Sequence, residues 1–368
     1  MKPLAILGAS GFVGVRLVEM HQLGGGAPVR PIFYRPANLA QTARFQLDWR
    51  MADFTNTEAL AKALEGCDTL VHLATGDPKV ILSLIEPVYE AAERAKLRRL
   101  VFISSAAVHG QNPAAGTDER TPLPRRHQHP YNAAKAQAER RWRAARAKGA
   151  VELVMLRPGI VWGPRSRWVT ETMRAVRAGT FGWINCGRGI INPIYVDNLV
   201  AAIDCACTAP VDGETFLLND PQPETWREFF APWLMAGGMS PEAVLEAPPY
   251  TAPRGWGARL ERVRIHPWTQ RLAPQIPSVL KRVAKAVAAA VPEPVARDEF
   301  GGLNSGERGP TPLTEEQTLL EQCAWRFPVD KARTRLGWKP LVDWPTGVER
   351  TLGWLKFAEQ LPPGHEGK

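Results

Sequence analysis

Short apolar runs alternate with helical patterns through the first half of the chain. Leu4-Ala5-Ile6-Leu7 leads into a stretch from Phe12 to about Leu23 whose apolar spacing fits a helix. The strand signal returns at Ile32-Phe33-Tyr34, Thr69 to Leu73, Leu100 to Ile103 and Leu153 to Leu156. Helices are expected at Glu58 to Leu64, Val80 to Ala95 and Ala133 to Ala147. This alternation predicts an α/β fold built on a doubly wound parallel sheet. Pro31 is disfavoured inside a strand, so the second strand is expected to start after it.

After about Arg157 prolines, tryptophans and short elements dominate. The division expected is a first domain over residues 1–165, to which 193–220 return, and a smaller mixed C-terminal substrate domain from 166–192 and 221–368. Pro193 to Val196 reads as one more sheet-like segment, leading into a helix capped by Asp197. A Pro/Trp-rich basic insertion covers about 223–312. Within it, Val279, Leu280, Val283, Val287 and Val291 share one helical face, with Lys281, Arg282 and Lys285 off it. Such a helix packs on its own domain or rests on a bilayer, so peripheral membrane contact through 276–291 is one expectation.

Composition narrows the class. The 368 residues suffice for a sizeable core, and 45% hydrophobic with 23% charged residues is ordinary for a globular protein. No apolar run is long enough to span a bilayer, and the N-terminal apolar stretch reads as a first strand rather than a leader. Five cysteines without CxxC spacing suit a reducing, cytoplasmic setting and suggest neither a disulfide framework nor a metal site. The net charge of +9 favours anionic ligands in general terms only. A small-molecule partner is expected, and no nucleic acid.

The chemistry concentrates at two places. Gly8-Ala9-Ser10-Gly11-Phe12-Val13-Gly14 joins the first strand to the first helix. Glycines there allow a tight turn and let backbone N–H groups approach a pyrophosphate at the helix N-terminus. In this context the motif predicts a Rossmann dinucleotide site formed by Gly8, Ser10, Gly11, Phe12, Val13 and Gly14. The second strand ends in Arg35 where a carboxylate would hold the ribose of NAD, which favours NADP over NAD as cofactor. Farther on, Tyr131-Asn132-Ala133-Ala134-Lys135 places a phenol and an ammonium four residues apart on one helical face, behind Pro130. A nearby ammonium favours the tyrosinate, so Lys135 is expected to lower the Tyr131 pKa and make it a usable acid/base.

These pieces, with Met51-Ala52-Asp53, His72-Leu73-Ala74, Ser104-Ser105-Ala106-Ala107-Val108-His109-Gly110, Leu156-Arg157-Pro158-Gly159, Tyr195-Val196-Asp197-Asn198 and a closing Leu336-Gly337-Trp338-Lys339-Pro340, resemble the extended short-chain dehydrogenase/reductases of the NAD-dependent epimerase/dehydratase family. The resemblance spans nearly the whole chain except about 223–312. It implies that Ser105, Tyr131 and Lys135 are catalytic, with Ser105 on the substrate oxygen, Tyr131 passing the proton and Lys135 holding the nicotinamide ribose. It further implies Asp53 by the adenine, Leu73, Ala74 and Pro158 along the cofactor, and a homodimer. Ser104 is expected to face away from Ser105 as a structural hydroxyl.

Family dehydratases and decarboxylases carry acidic residues just after the catalytic hydroxyl, where this chain has Ala106 and Ala107. Hydride transfer alone therefore remains: epimerisation, reduction or oxidation at a secondary alcohol or ketone. Substrate contacts are expected from Ala107, His109, Ile160, Arg165, Arg188 and Ile191. Ile160 and Ile191 stand where nucleotide-sugar members carry Asn and Arg, and neither can satisfy a diphosphate oxygen. Arg165 and Arg188 offer a substitute anion site. The leading expectation is an oxidoreductase or epimerase acting on a sugar-like substrate. The alternatives are an NADPH ketoreductase for an apolar substrate and a non-catalytic nucleotide-binding scaffold.

Overall fold

The computed structural model describes residues 2–127, 129–248 and 314–361. The candidate membrane helix 276–291 lies outside the described residues. Strands β1 (Leu4–Leu7), β2 (Val29–Phe33), β3 (Arg50–Met51), β4 (Thr69–His72), β5 (Arg99–Ile103), β6 (Glu152–Pro158) and β9 (Thr215–Leu218) form one parallel sheet in the order β3-β2-β1-β4-β5-β6-β9. β1, β4, β5 and β9 are buried at every residue, which is why they read as unbroken apolar runs. The order reverses between β1 and β4, so the crevice at their carboxyl ends is the switch point where such sheets bind ligands.

Helices α2 (Thr57–Leu64), α3 (Pro78–Ser83), α4 (Ile85–Arg94) and α5 (Pro130–Arg146) cover one face of the sheet, with Leu60, Val88 and Trp142 buried against it. α1 (Phe12–Gly24) and α7 (Val196–Thr208) cover the other, around Leu17, Leu199 and Ile203. A second parallel pair, β7 (Ile160–Trp162) with β8 (Pro193–Tyr195), stands apart from the main sheet. It packs with α6 (Arg167–Ala178), α8 (Trp226–Ala236) and α10 (Trp344–Phe357) around an aromatic core. Trp162, Trp226, Phe229 and Trp233 are fully buried there, so several of the tryptophans that mark the second half are core. A short helix, α9 (Glu315–Glu321), precedes the closing motif, where Trp338 Nε1 donates to the Asn198 carbonyl at 2.9 Å.

Three expectations need correction. β2 begins before Pro31, at Val29; β3 pairs only with Ile32 and Phe33, so at Pro31 the strand has an edge on that side and tolerates proline. The helix expected over Val80 to Ala95 is two helices. Pro87, lacking an N–H and crowding the carbonyl four residues back at Ser83, forces a restart and occupies the first turn of α4. Asp197 does not cap α7, whose cap residue is Tyr195 without a side-chain bond. The Asp197 carboxylate instead accepts from Arg16 Nε at 2.6 Å and from Arg350 at 3.2 Å, joining α1, α7 and α10.

The α1–α7 contact carries one titrating staple. His21 Nε2 lies 2.9 Å from Asp204 Oδ1, and its Nδ1 lies 2.8 Å from the Ala27 carbonyl. The Asp204 bond outweighs burial and raises the His21 pKa above 6.5. The staple therefore stabilises the fold fully below about pH 6.5 and is lost as pH rises through the raised value. Asp204→Asn should cost about 0.5–1 kcal/mol at pH 5.5 and much less at pH 9, read from denaturant unfolding at the two pH values. An equal loss at both would show that the imidazolium contributes nothing.

Candidate active site

Each element of the site ends at the carboxyl edge of the sheet. The glycine loop leaves β1 at Gly8, whose φ is +87° and where a Cβ would sit 2.6 Å from the Ala74 backbone nitrogen. A Cβ on Gly14 would lie 2.2 Å from the Gly8 carbonyl oxygen, so α1 presses directly onto the loop. Gly11 N donates to the Gly8 carbonyl at 3.1 Å, and the exposed Gly11 starts α1 with Phe12 and Val13 half-buried behind it. Ser10 Oγ accepts from Asn38 Nδ2 at 3.1 Å, a partner that sequence reading missed because it lies on the turn after β2. The cradle fits a dinucleotide: small, close-packed and presenting free N–H groups at a helix start.

Around that cradle, Arg35 stacks its guanidinium 5.4 Å from the Tyr34 ring and makes no ion pair among the described residues. Asp53 is exposed and its carboxylate accepts from Thr55 N at 2.9 Å and Thr55 Oγ1 at 2.7 Å, which holds it below the usual carboxylate range. Leu73 N donates to the Leu7 carbonyl at 2.8 Å, placing Leu73 and Ala74 beside the loop, and Pro158 is buried at the end of β6.

The three expected catalytic residues converge from β5 and α5. Ser105 Oγ accepts from Ala107 N at 3.2 Å, capping a short turn over Ala106–His109, so its own proton stays free for a ligand. Lys135 is buried, donates from Nζ to the Ile103 carbonyl at 2.9 Å and lies 4.9 Å from the Phe102 ring centre. Burial pulls its pKa down to about 8 against the opposing pull of Glu139. Tyr131 is half-buried with Lys135 Nζ 5.8 Å from its ring centre, and a hydrogen bond with Thr75 favours its ionised form. Burial nevertheless wins and raises its pKa above 10. The expected lowering by Lys135 is thus not realised: burial sets the direction, and the opposing contribution comes from Thr75. Thr75 is a second partner missed in the sequence; its position directly after His72-Leu73-Ala74 was the available signal.

Beneath them runs a buried polar chain. Arg157 donates to Glu139 from Nε at 2.8 Å and from Nη2 at 2.6 Å, and Ser104 Oγ donates to Glu139 at 2.6 Å. Arg157 Nη1 donates to His109 Nε2 at 2.9 Å. Burial and the Arg157 charge push His109 down to about 4, so its ring is neutral. Ser104 does turn away from Ser105, as alternation along a strand requires.

Two cavities adjoin this machinery and share Gly110 and Gln111. The inner one, about 60 Å³, is lined by Ser105, Ala107, Ile160, Asn192, Trp226 and Phe327 among others. Leu320, Cys323 and Phe327 supply its far wall from the C-terminal segment. The outer one, about 590 Å³, is lined by Gln111, Arg126, His127, His129, Asn132 and the α9 residues Glu315, Glu316 and Leu319. Of the expected substrate residues, Ala107 and Ile160 line the inner cavity. Ile191 does not: it is fully buried in the aromatic core, and Ile190 faces the cavity in its place. Arg188 is exposed with Nη2 3.5 Å from Cys186 Sγ. Arg165 hydrogen-bonds Gln41 and lines a different hollow, beside Phe12, Arg16 and Arg350. The two arginines therefore do not form one anion site.

The family model described as NAD dependent epimerase/dehydratase family matches residues 4–218. The chain belongs to this family. It is an NAD-dependent enzyme by that membership, with relatives named as oxidoreductases and epimerases. A sterol-4-alpha-carboxylate 3-dehydrogenase, decarboxylating, of Candida albicans is 24% identical over 96% of this chain and 98% of its own. A 4-hydroxy-2-methyl-3-oxo-4-farnesyl-3,4-dihydroquinoline-1-oxide ketoreductase of Stigmatella aurantiaca is 27% identical over 64% of this chain and 74% of its own. Among solved structures, a UDP-glucuronic acid 4-epimerase of Bacillus cereus with UDP-glucuronic acid and NAD superposes with a TM-score of 0.65 at 17% identity, over 97% of this chain and 100% of that one.

Two substitutions test the site's supports. Gly14→Ala forces a methyl into the Gly8 carbonyl and should abolish NAD(H) binding measured by calorimetry, with a fold loss of about 2 kcal/mol or more. Glu139→Gln leaves the Arg157 charge buried and unpaired and should destabilise the protein by about 3 kcal/mol in urea unfolding. A neutral result for Glu139→Gln would mean that water reaches Arg157.

Proposed function

We propose that the protein is an NAD(P)-dependent oxidoreductase interconverting a secondary alcohol and a ketone on a largely apolar skeleton. The observation that carries this reading is the inner cavity at Ser105. Ala106, Ala107, Pro113, Ile160, Ile190, Trp226, Leu320 and Phe327 line it, and no Arg or Lys does among the described residues. A diphosphate placed there would lose its hydration without gaining a cation. The sugar-nucleotide expectation therefore gives way to the apolar ketoreductase alternative, in line with the relatives named for sterol and quinoline-ketone substrates.

When bound, the nicotinamide supplies or accepts the hydride. Ser105 donates its free proton to the substrate oxygen, and Tyr131, kept protonated by burial, stands as the acid for a developing alkoxide. Lys135 brings a cation beside both, and the apolar wall keeps bulk water from the reacting carbon. Ala106 and Ala107 offer no further acid or base, so the reading stops at hydride and proton transfer. The unpaired Arg35 supports NADP through its 2′-phosphate.

The test combines two measurements. Protein denatured after purification, with its released nucleotide identified by mass, tells tightly held cofactor from exchangeable cofactor and shows which nucleotide Arg35 selects. NADPH and NADH oxidation is then followed with apolar cyclic ketones and with UDP-glucose in parallel. Turnover of the ketones, with Tyr131→Phe slowing kcat by about 10²–10⁴-fold while nucleotide still binds, is the expected outcome. Turnover of UDP-glucose and of no ketone would overturn the proposal.

A further inference from the structure

The outer cavity holds polar atoms that the reaction does not use. Asn132, only 3% exposed, directly follows Tyr131 on α5, and its Oδ1 is buried without a hydrogen-bond partner. His129 Nδ1 and His127 Nε2 are likewise buried and unpartnered. All three residues line the same outer cavity. Buried polar atoms left without partners cost about 1–3 kcal/mol each, so three along one wall call for an occupant.

The donor and acceptor pattern tells which occupant. Glu316 Oε2 lies 2.8 Å from His129 Nε2, and its Oε1 accepts from Gln111 Nε2 at 2.6 Å. With Glu316 on Nε2, the tautomer that donates there presents Nδ1 to the cavity as an acceptor. Asn132 Oδ1 is an acceptor as well. Glu315 and Glu316 face the same space; Arg126 is the counter-charge and is exposed. Two acceptors beside two carboxylates disfavour a phosphate or carboxylate and favour a group that donates hydrogen bonds.

Building on the oxidoreductase reading, we propose that His129 and Asn132 form a substrate subsite for a hydroxyl or amide N–H carried away from the reacting carbon. The substrate is then two-ended. Its apolar end, bearing the alcohol or ketone, enters between Ala107, Ile160 and Phe327. Its donor-bearing end stays in the outer cavity under α9, where Glu316 holds the His129 tautomer that accepts from it. Gly110 and Gln111, common to both cavities, form the passage between the ends.

The probes are cyclohexanones with an ω-hydroxyalkyl tail of two to eight carbons at C4, each paired with its methyl ether, which keeps the acceptor and removes the donor. Binding to the NAD(H)-loaded protein is measured by calorimetry, which does not depend on turnover. The expected result is an alcohol at one or more tail lengths binding at least tenfold tighter than its ether, about 1.4 kcal/mol. That ratio should collapse toward one in both Asn132→Leu and His129→Leu, with circular dichroism and NAD(H) affinity reporting that each variant is folded. Equal affinities at every length, no binding of either series, or a ratio surviving both substitutions would overturn the subsite. Selective binding without any NAD(P)H oxidation would uphold the subsite and reject the oxidoreductase reading instead.

Discussion

A carboxylate and a guanidinium, both removed from water, hold the catalytic elements in register. Glu139 comes from α5, the helix that carries Tyr131 and Lys135, and Arg157 from β6. Through Ser104 the same carboxylate reaches the end of β5, and through His109 the guanidinium reaches the turn that Ser105 caps. Such a pair contributes little net stability over an apolar replacement, but leaving either partner alone is costly. Its effect is therefore geometric: the helix bearing the acid cannot slide along the strand bearing the hydroxyl without breaking it. Lys135, one turn before Glu139, keeps its charge in a buried place partly because that carboxylate is near.

Much of this was legible in the chain. The glycine spacing, the apolar strand runs and the Tyr131–Lys135 interval follow from local geometry, since a turn, a buried strand and a helical face each leave a short-range signature. What the sequence hid was long-range. Asp197 looked like a helix cap, because position on α7 says nothing of Arg16 or Arg350. Ile191 and Ile190 are adjacent and bond to different distant partners, Ile190 N to the Cys323 carbonyl at 2.7 Å and Ile191 N to the Glu224 carbonyl at 3.0 Å, and only Ile190 faces the cavity. Arg165 and Arg188 are close in the chain, yet Arg165 lines a hollow beside Phe12 while Arg188 is exposed next to Cys186. The Tyr131 pKa runs opposite to expectation because burial, which no spacing rule reports, outweighs the hydrogen bond from Thr75.

The contrast between the two cavities organises the functional picture. Around Ser105 the wall is mostly small, aliphatic and aromatic, and no charged side chain lines it among the described residues. Across Gly110 and Gln111 the wall turns polar, with His129 held in place by Glu316. A single helix, α5, thus presents the Tyr131 phenol and, at the next residue, the buried and unpartnered Oδ1 of Asn132. The fold follows that of nucleotide-sugar enzymes in its overall path, while the wall around Ser105 carries no Arg or Lys among the described residues; a shared architecture does not by itself fix specificity.

The far wall of the inner cavity, Leu320, Cys323 and Phe327, lies almost two hundred residues along the chain from Tyr131. One wall of the cavity and the Ser105–Tyr131–Lys135 set are consequently encoded in different stretches of the gene. Mutations accumulating in the later stretch can reshape what enters while the Ser–Tyr–Lys set and the Glu139–Arg157 tie beneath it are inherited unchanged. A lineage built this way can explore new ligands without first losing its chemistry.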